Sequence, residues 1–337
     1  MSLYGTMRTG VSGMNAQSNR LSTVAENIAN ANTTGYKRAS TEFSSMILPS
    51  GNGAYNSGGV QTEVRYSISQ PGATTFTTSA SDLAIDGGGF FIVEGANGQE
   101  YLTRAGSFVP DSEGNLVNAA GFTLMGYEYE AGVDPTVVVN GFDGLTRVNL
   151  ASKGLIAAGS TTGSMGANLP SGAAVGDIST TSLVVYDSQG NTRILDFNYE
   201  KTAANAFNAD GGSIDGNAPS KVAGYQIDSD GIVYVKYENG KLDPRYRIAL
   251  ANVQSPDKLK PESGNVYSQG VDSGVIITGF AGSGDFGEIL SGALESSNVD
   301  IAEELTAMIE SQRNYTANSK VFQTGSELLE VLVNLKR

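Results

Sequence analysis

The chain has 337 residues, with 21 lysines and arginines against 35 aspartates and glutamates, a formal net charge of −14. That acidic balance argues against nucleic-acid or anionic-membrane binding, which needs clustered positive charge. The absence of cysteine and histidine removes thiol nucleophiles, histidine-based triads, disulfides and the common zinc sites together. No apolar run approaches the roughly 20 residues of a membrane span, and the stretch Met1 to Arg20 lacks the apolar core of a cleavable leader. The sequence therefore predicts a protein that is cytoplasmic or exported unprocessed.

The first predicted element is a helix. Leu3, Met7, Met14, Leu21, Val24 and Ile28 follow the alternating three- and four-residue spacing of a heptad seam. Gly5, Gly10, Gly13, Asn15, Asn19 and Asn27 are poor helix formers. A helix of this composition is marginal in isolation, so it is expected to order only when neighbours cover its stripe. The segment ends at Asn30-Ala31-Asn32-Thr33-Thr34-Gly35-Tyr36-Lys37, where Gly35 is a natural left-handed stop. Residues 39–70, including Ser50-Gly51-Asn52-Gly53, are polar and read as a connector.

Between about 70 and 290 the chain turns to short β-branched and aromatic runs, predicting an all-β interior. Phe90-Phe91-Ile92-Val93, Leu183-Val184-Val185-Tyr186, Ile194-Leu195-Asp196-Phe197 and Ile232-Val233-Tyr234-Val235 are such runs. Asn97-Gly98 and Asn239-Gly240 are hairpin dipeptides, and Asp-Ser-X-Gly turns begin at Asp111, Asp187 and Asp228. Gly/Ala/Ser/Thr-rich stretches from Ala157 to Thr181 and from Ala203 to Gly216 read as long loops. They suggest that 146–250 is a separate β domain inserted into the first.

The last element is a second, longer helix. Asp300 and Glu303 have cap-box spacing, with Glu304 also near the positive helix end. Ile301, Met308, Tyr315, Phe322 and Leu329 recur every seven residues, with Leu305 and Val333 at intervening seam positions. The two terminal helices are expected to pair. Two readings of their stripes stand side by side: a helical hairpin packed on the chain's own core, or a seam between molecules. Val11, Ala25, Ile309, Leu328, Leu332 and Leu335 lie off the seam, more apolar surface than one partner helix covers.

Few residues suggest catalysis. Asp82 and Asp86 are spaced like paired carboxylates, but each also suits the punctuation of a short strand before Gly87-Gly88-Gly89. That glycine run reads as an anion nest or as a tight turn, and no helix follows it to supply a dipole. The three Asp-Ser-X-Gly turns read as weak calcium sites or as turns, without the ligand-dense loop of an EF-hand. No catalytic, cofactor-binding or metal-ligating residue is assigned.

Three blocks carry a resemblance. They are Asn27 to Lys37; Asp82-Leu83-Ala84-Ile85-Asp86-Gly87-Gly88-Gly89-Phe90-Phe91 with Thr103 to Phe108; and Ser291 to Asp300 running into Gln312-Arg313-Asn314-Tyr315. The chain resembles the axial proteins of the bacterial flagellum, the rod and hook family, with Asn27, Asn30, Asn32, Thr34, Gly35 and Tyr36 as the motif. Within that family the insertion at 146–250, especially Thr181 to Tyr199, is similar to the outer domain of hook proteins, with distal rod proteins second. A secreted β-rich enzyme or carbohydrate-binding module is the alternative of a different class.

The resemblance implies an α+β multidomain, non-enzymatic structural subunit without cofactors. Residues 1–32 with 298–337 form a coiled-coil-type helical core domain, and 33–70 with 286–297 a connector. Residues 71–145 with 251–285 form an inner antiparallel β domain, and 146–250 the inserted outer one. It further implies a homopolymeric tube, a flexible universal joint that transmits motor torque to the filament. The stripe residues Leu3, Met7, Met14, Leu21, Val24, Ile28, Ile301, Leu305, Met308, Tyr315, Phe322, Leu329 and Val333 become its subunit interface. Its implied partners are further subunits, the flagellar rod, the hook cap, the hook-filament junction proteins and the type III export apparatus. It implies an extracellular location without leader cleavage, and neither nucleic acid nor membrane insertion.

Overall fold

The computed structural model describes residues 3–47, 57–129, 135–150, 160, 165–186, 192–203, 206–211, 222–237, 240 and 242–335. Helix α1 spans Leu3–Ala29 and helix α2 spans Ile301–Leu335. At ~1.5 Å per residue the 35 residues of α2 reach ~52 Å. Asp300 caps it as its position predicts, Oδ1 accepting from the amides of Ala302 (2.8 Å) and Glu303 (3.2 Å). No helix among the described residues is long and apolar enough to cross a membrane.

The two helices pair antiparallel. Asn318 lies against Gly10 and Gly13, Gly325 against Met7, and Arg20 reaches Glu310 at 3.0 Å. On its other side α1 carries a β-hairpin of Ala39–Ile47 and Ser57–Tyr66, where composition suggested only a polar connector. The hairpin docks through polar groups: Ser12 Oγ accepts from the Val60 amide (2.8 Å) and Thr23 Oγ1 meets Thr41 Oγ1 (2.9 Å). Polar packing of this kind leaves no apolar alternation for a sequence to display. Ser50-Gly51-Asn52-Gly53 lies outside the described residues.

Among the described residues, a 12-stranded antiparallel sheet forms the body. Its main path runs Val222–Ile227, Ile232–Tyr237, Leu242–Val253, Thr123–Glu128, Phe90–Glu94, Glu100–Thr103, Val266–Ser268 and Lys260–Glu262. Both faces are covered. Phe91 and Val93 enter one core with Phe108, Leu124 and Ile248, while Phe90 and Ile92 enter a second with Leu102, Ala251 and Phe280. That burial explains why Phe90-Phe91-Ile92-Val93 is continuously apolar rather than alternating. Asn97-Gly98 makes the hairpin turn into Glu100–Thr103, with Gly98 at φ 73°.

A separate three-stranded sheet holds Ile178–Tyr186, Thr192–Ala203 and Ala206–Gly211. The stretch from Ala203, read as a loop, thus contains a strand, paired from Phe197–Gly211 to Ala203–Ala206. Residue 250 falls inside Leu242–Val253, whose first half pairs with Ile232–Tyr237 and whose second half pairs with Ile276–Phe280. Val222–Ile227, Ile232–Tyr237 and Leu242–Val253 are therefore bonded into the body's sheet, unlike the expected division at 250. Texture marks strand against loop, but a backbone pairing partner is set by tertiary contact.

Candidate functional site

Two features stand out once the fold is built: a polar joint where the helix pair meets the β body, and the surface of α2. At the joint the chain crosses twice, through residues 30–38 and 295–300. The crossings lie side by side, the Gly35 amide donating to the Glu295 carbonyl at 2.7 Å and the Arg38 amide to Asn298 Oδ1 at 2.7 Å. Asn298 Nδ2 donates in turn to the Ser67 carbonyl at 3.0 Å.

The motif residues lie at the end of α1 and along the first crossing. Asn27 is buried, its Nδ2 donating to the Ala39 carbonyl at 2.7 Å and its Oδ1 accepting from the Ala39 amide at 2.9 Å. The Tyr36 hydroxyl donates to the same Oδ1 at 3.2 Å, and burial raises the Tyr36 phenol well above its ordinary range. Asn30 Nδ2 donates to the Glu26 carbonyl at 2.9 Å, Thr34 accepts from Asn265 Nδ2 at 2.8 Å, and Asn32 is exposed. The helix ends at Ala29, so Gly35 (φ 67°) is not its stop. Its missing side chain makes room for the Arg104 backbone, which a Cβ would meet at 2.5 Å.

Beneath the crossings sits a buried ionic triad. Glu295 Oε1 takes Lys37 Nζ at 2.5 Å and the Gly72 amide at 2.8 Å, while Oε2 takes Arg104 Nη1 at 3.2 Å. The side chains of Lys37, Glu295 and Arg104 are 1%, 2% and 7% exposed. Lys37 also donates to the Gln70 carbonyl (2.6 Å), and Arg104 Nη2 to the Gly87 carbonyl (2.8 Å). The Arg104 guanidinium stacks over Phe90, 5.2 Å from the ring centre. Burial pulls the Lys37 ammonium and the Arg104 guanidinium below their ordinary ranges, with Glu295 opposing the fall in both. Outside the triad, Arg38 Nε bonds Glu304 Oε1 (2.7 Å) and Nη2 bonds Glu303 Oε1 (3.0 Å), tying the first crossing to the first turn of α2.

The carboxylates singled out in the sequence serve structure. Asp82 Oδ2 accepts from Thr77 Oγ1 at 2.7 Å, and Asp86 is exposed at the end of Leu83–Asp86. In Gly87-Gly88-Gly89 the Gly87 carbonyl accepts from Arg104 Nη2 at 2.8 Å. Asp111 Oδ1 accepts from the amides of Glu113 (2.8 Å) and Asn115 (2.9 Å), and Asp228 Oδ1 from that of Ile232 (2.8 Å), as turn formers do. The third Asp-Ser-X-Gly turn, at Asp187, lies outside the described residues.

The second feature is the surface of α2. Its buried residues are Glu304, Ser311 and Gly325, so the strip turned inward is polar or small. Of the predicted seam, Val24 is buried; Met7, Met14, Leu21, Ile28, Met308 and Leu329 are half-buried; Ile301, Leu305, Tyr315, Phe322 and Val333 are exposed. Leu3 lies within α1. The off-seam residues Val11, Ala25, Ile309, Leu328, Leu332 and Leu335 are all exposed. At ~100° per residue, Ile301 and Leu305 flank the inward strip on one side and Val321, Leu328 and Leu335 on the other, Ile309 lies nearly opposite it, and Leu332 continues the strip one heptad beyond Gly325 yet is exposed. Both flanks are bare in a single chain. Exposed apolar area of this extent marks an interaction surface.

Comparison with known proteins agrees with this geometry. Three family descriptions match: "Flagella basal body rod protein" over residues 7–37, "Flagellar hook protein FlgE/F/G D1 domain" over 84–158, and "Flagellar basal body rod FlgEFG protein C-terminal" over 290–335. The flagellar hook protein FlgE of Rhizobium meliloti is 81% identical, with all of both chains covered. The chain belongs to the flagellar hook protein family. Hook proteins of Brucella suis (47% identical, all of both chains) and Escherichia coli (30%, 97% of this chain and 98% of that one) are further relatives. This hook-family chain is a structural subunit of the flagellum that polymerises with other hook subunits, and its role lies in motility.

The family blocks are the parts that converge on the joint: Asn27 to Lys37, the Leu83–Asp86 and Gly87 turn region with Arg104, and Glu295 to Asp300. Sequence reasoning quoted those blocks without singling out Lys37, Arg104, Glu295 or Asn298. The available signal was single charges set in small or apolar surroundings, such as Glu295 in Ala293-Leu294-Glu295-Ser296.

Proposed function

We propose that the helix pair forms the inner core of the hook tube, with the β regions facing outward. The observation that carries this reading is the surface of α2, where large apolar residues such as Leu305, Tyr315, Leu328 and Leu332 are 47%, 41%, 54% and 56% exposed in one chain. Neighbouring copies would cover them together with Leu3, Met7, Met14, Leu21, Val24, Ile28, Ile301, Met308, Phe322, Leu329 and Val333. The inward strip of Ser311, Asn318 and Gly325 contributes little apolar burial. The helix pair therefore depends on its neighbours for stability, which agrees with the poor helix propensity of α1. A segment of that kind stays extended during passage through a type III export channel and orders on assembly.

The tube acts as a universal joint that carries torque to the filament while it bends. Bending requires outer contacts that slide, and the small sheet offers polar ones beside the exposed Ile178, Val184, Tyr186 and Ile194. Its exposed face includes Thr180 bonded to Asn198 (2.8 Å) and Ser182 to Asp196 (2.6 Å). Such groups exchange partners with water and with neighbours at little net cost. The hook would contact the rod, the hook cap and the hook-filament junction proteins outside the cell. Electron microscopy of purified full-length protein under polymerising conditions tests the reading. Tubes that are lost in Leu305→Asp while the β body melts normally are the expected result. Wild-type assembly by that variant would overturn the placement of α2.

A further inference from the structure

We propose that Glu295 is a positioning residue that locks both crossings to the β body, so that crossings and body move as one unit within the hook. The inference rests on the hook-subunit reading and deepens it by naming where the subunit does not bend. Three charged groups meet at the joint, one from each part: Lys37 from the outgoing crossing, Glu295 from the returning one, and Arg104 from the body after strand Glu100–Thr103. The Glu295 carboxylate is divided between them, Oε1 to Lys37 at 2.5 Å and Oε2 to Arg104 at 3.2 Å.

A carboxylate shared in this way is satisfied in one arrangement only. Rotating either crossing away from the body by an ångström or two would leave a cation without its carboxylate in a site closed to water, and an unpaired buried charge is among the most unfavourable groups a protein can hold. The surrounding bonds add direction. Arg104 is held by the carbonyls of Ile85 (3.3 Å) and Gly87 (2.8 Å), and Lys37 by that of Gln70 (2.6 Å), so neither cation can swing after a displaced partner. The Gly35–Glu295 backbone bond and the Asn298 bonds brace the crossings against each other. Because the triad is closed to water, salt screens it far less than the exposed Arg20–Glu310 pair, whose side chains are 25% and 60% exposed. Curvature of the tube must then arise between subunits or elsewhere within the chain.

The test uses the full-length chain carrying Glu295→Gln or Lys37→Met. In the monomer, amide hydrogen exchange at 35–38 and 295–298 should accelerate at least tenfold in Glu295→Gln, and less in Lys37→Met, which keeps the Arg104–Glu295 pair. Exchange in strand Phe90–Glu94 should stay unchanged, and 0.5 M NaCl should change wild-type exchange beside the buried triad, at Lys37 and Glu295, little. In polymers, cryo-electron microscopy should show an altered helical twist or curvature. Unchanged exchange at the joint in both variants, or variant tubes with wild-type twist, would overturn the proposal. If Glu295→Gln unfolds the body, Lys37→Met decides on its own. Failure of the wild-type chain to polymerise would count against the hook reading, while the exchange arm would still judge the lock.

Discussion

Replacing Gly35 with alanine isolates how closely the first crossing sits on the body. Two costs arise. The backbone at Gly35 has φ 67°, a region that costs an L-residue about 1–2 kcal/mol. The new Cβ would also lie 2.5 Å from Arg104 C, 2.6 Å from Ala105 N and 2.7 Å from Arg104 O, all backbone atoms that cannot turn aside. Overpacking of that sort adds about 1–3 kcal/mol, giving ~2–5 kcal/mol for Gly35→Ala. Gly98 provides the control, because its φ is 73° and its Cβ would find only Glu94 Oε1 at 3.9 Å. Gly98→Ala should cost the conformational part alone, ~1–2 kcal/mol. The assay is amide exchange around each site in the monomer, where every ~1.4 kcal/mol is a tenfold loss of protection. Gly35→Ala should lose at least ~30-fold and Gly98→Ala clearly less. Equal losses in the two variants would show that the Arg104 backbone does not confine Gly35, and the close approach would be wrong.

Phe91→Ala empties a fully buried site against Phe108 and should cost about 3–5 kcal/mol in urea unfolding of the body; a loss under ~1 kcal/mol would contradict the core assignment. Phe322→Ala, at a position 38% exposed in one chain, should change monomer unfolding little and raise the critical concentration for assembly; an unchanged critical concentration would remove Phe322 from the interface. At alkaline pH the phenols of Tyr36 and Tyr267, both raised chiefly by burial, stay protonated in the fold and ionise in the unfolded chain above pH ~10. Through these two phenols stability should fall above pH ~10, by up to ~1.4 kcal/mol per pH unit for each. A chain whose urea midpoint is flat to pH 11.5 would contradict the sign. Excising residues 160–221 with a short Gly-Ser bridge removes the small sheet and spares Val222 to Leu250; micrographs should show tubes with altered bending, and folded protein that forms no tube would mean the small sheet makes lattice contacts.

The local part of this structure was legible in the sequence. Both helices follow from the seven-residue spacing of apolar side chains, the start of α2 from Asp300 and Glu303, and the hairpin at Asn97-Gly98 from its dipeptide, because each depends on neighbours a few positions away. The motif blocks likewise pointed to the family before any geometry. Tertiary structure alone decided the rest. Periodicity marks a distinct helix face but does not say what covers it, and here Ser311 and Gly325 turn inward while Leu305 and Leu332 remain bare. Texture identified Ile232 to Val235 as a strand, yet only its pairing with Leu242–Val253 joined it to the body's sheet. The hairpin strands Ala39–Ile47 and Ser57–Tyr66 show no apolar alternation to read, since they dock on α1 through hydroxyls. Lys37, Arg104 and Glu295 are 67 and 191 residues apart along the chain, and burying one carboxylate between two cations depends on a distance that only the folded chain supplies.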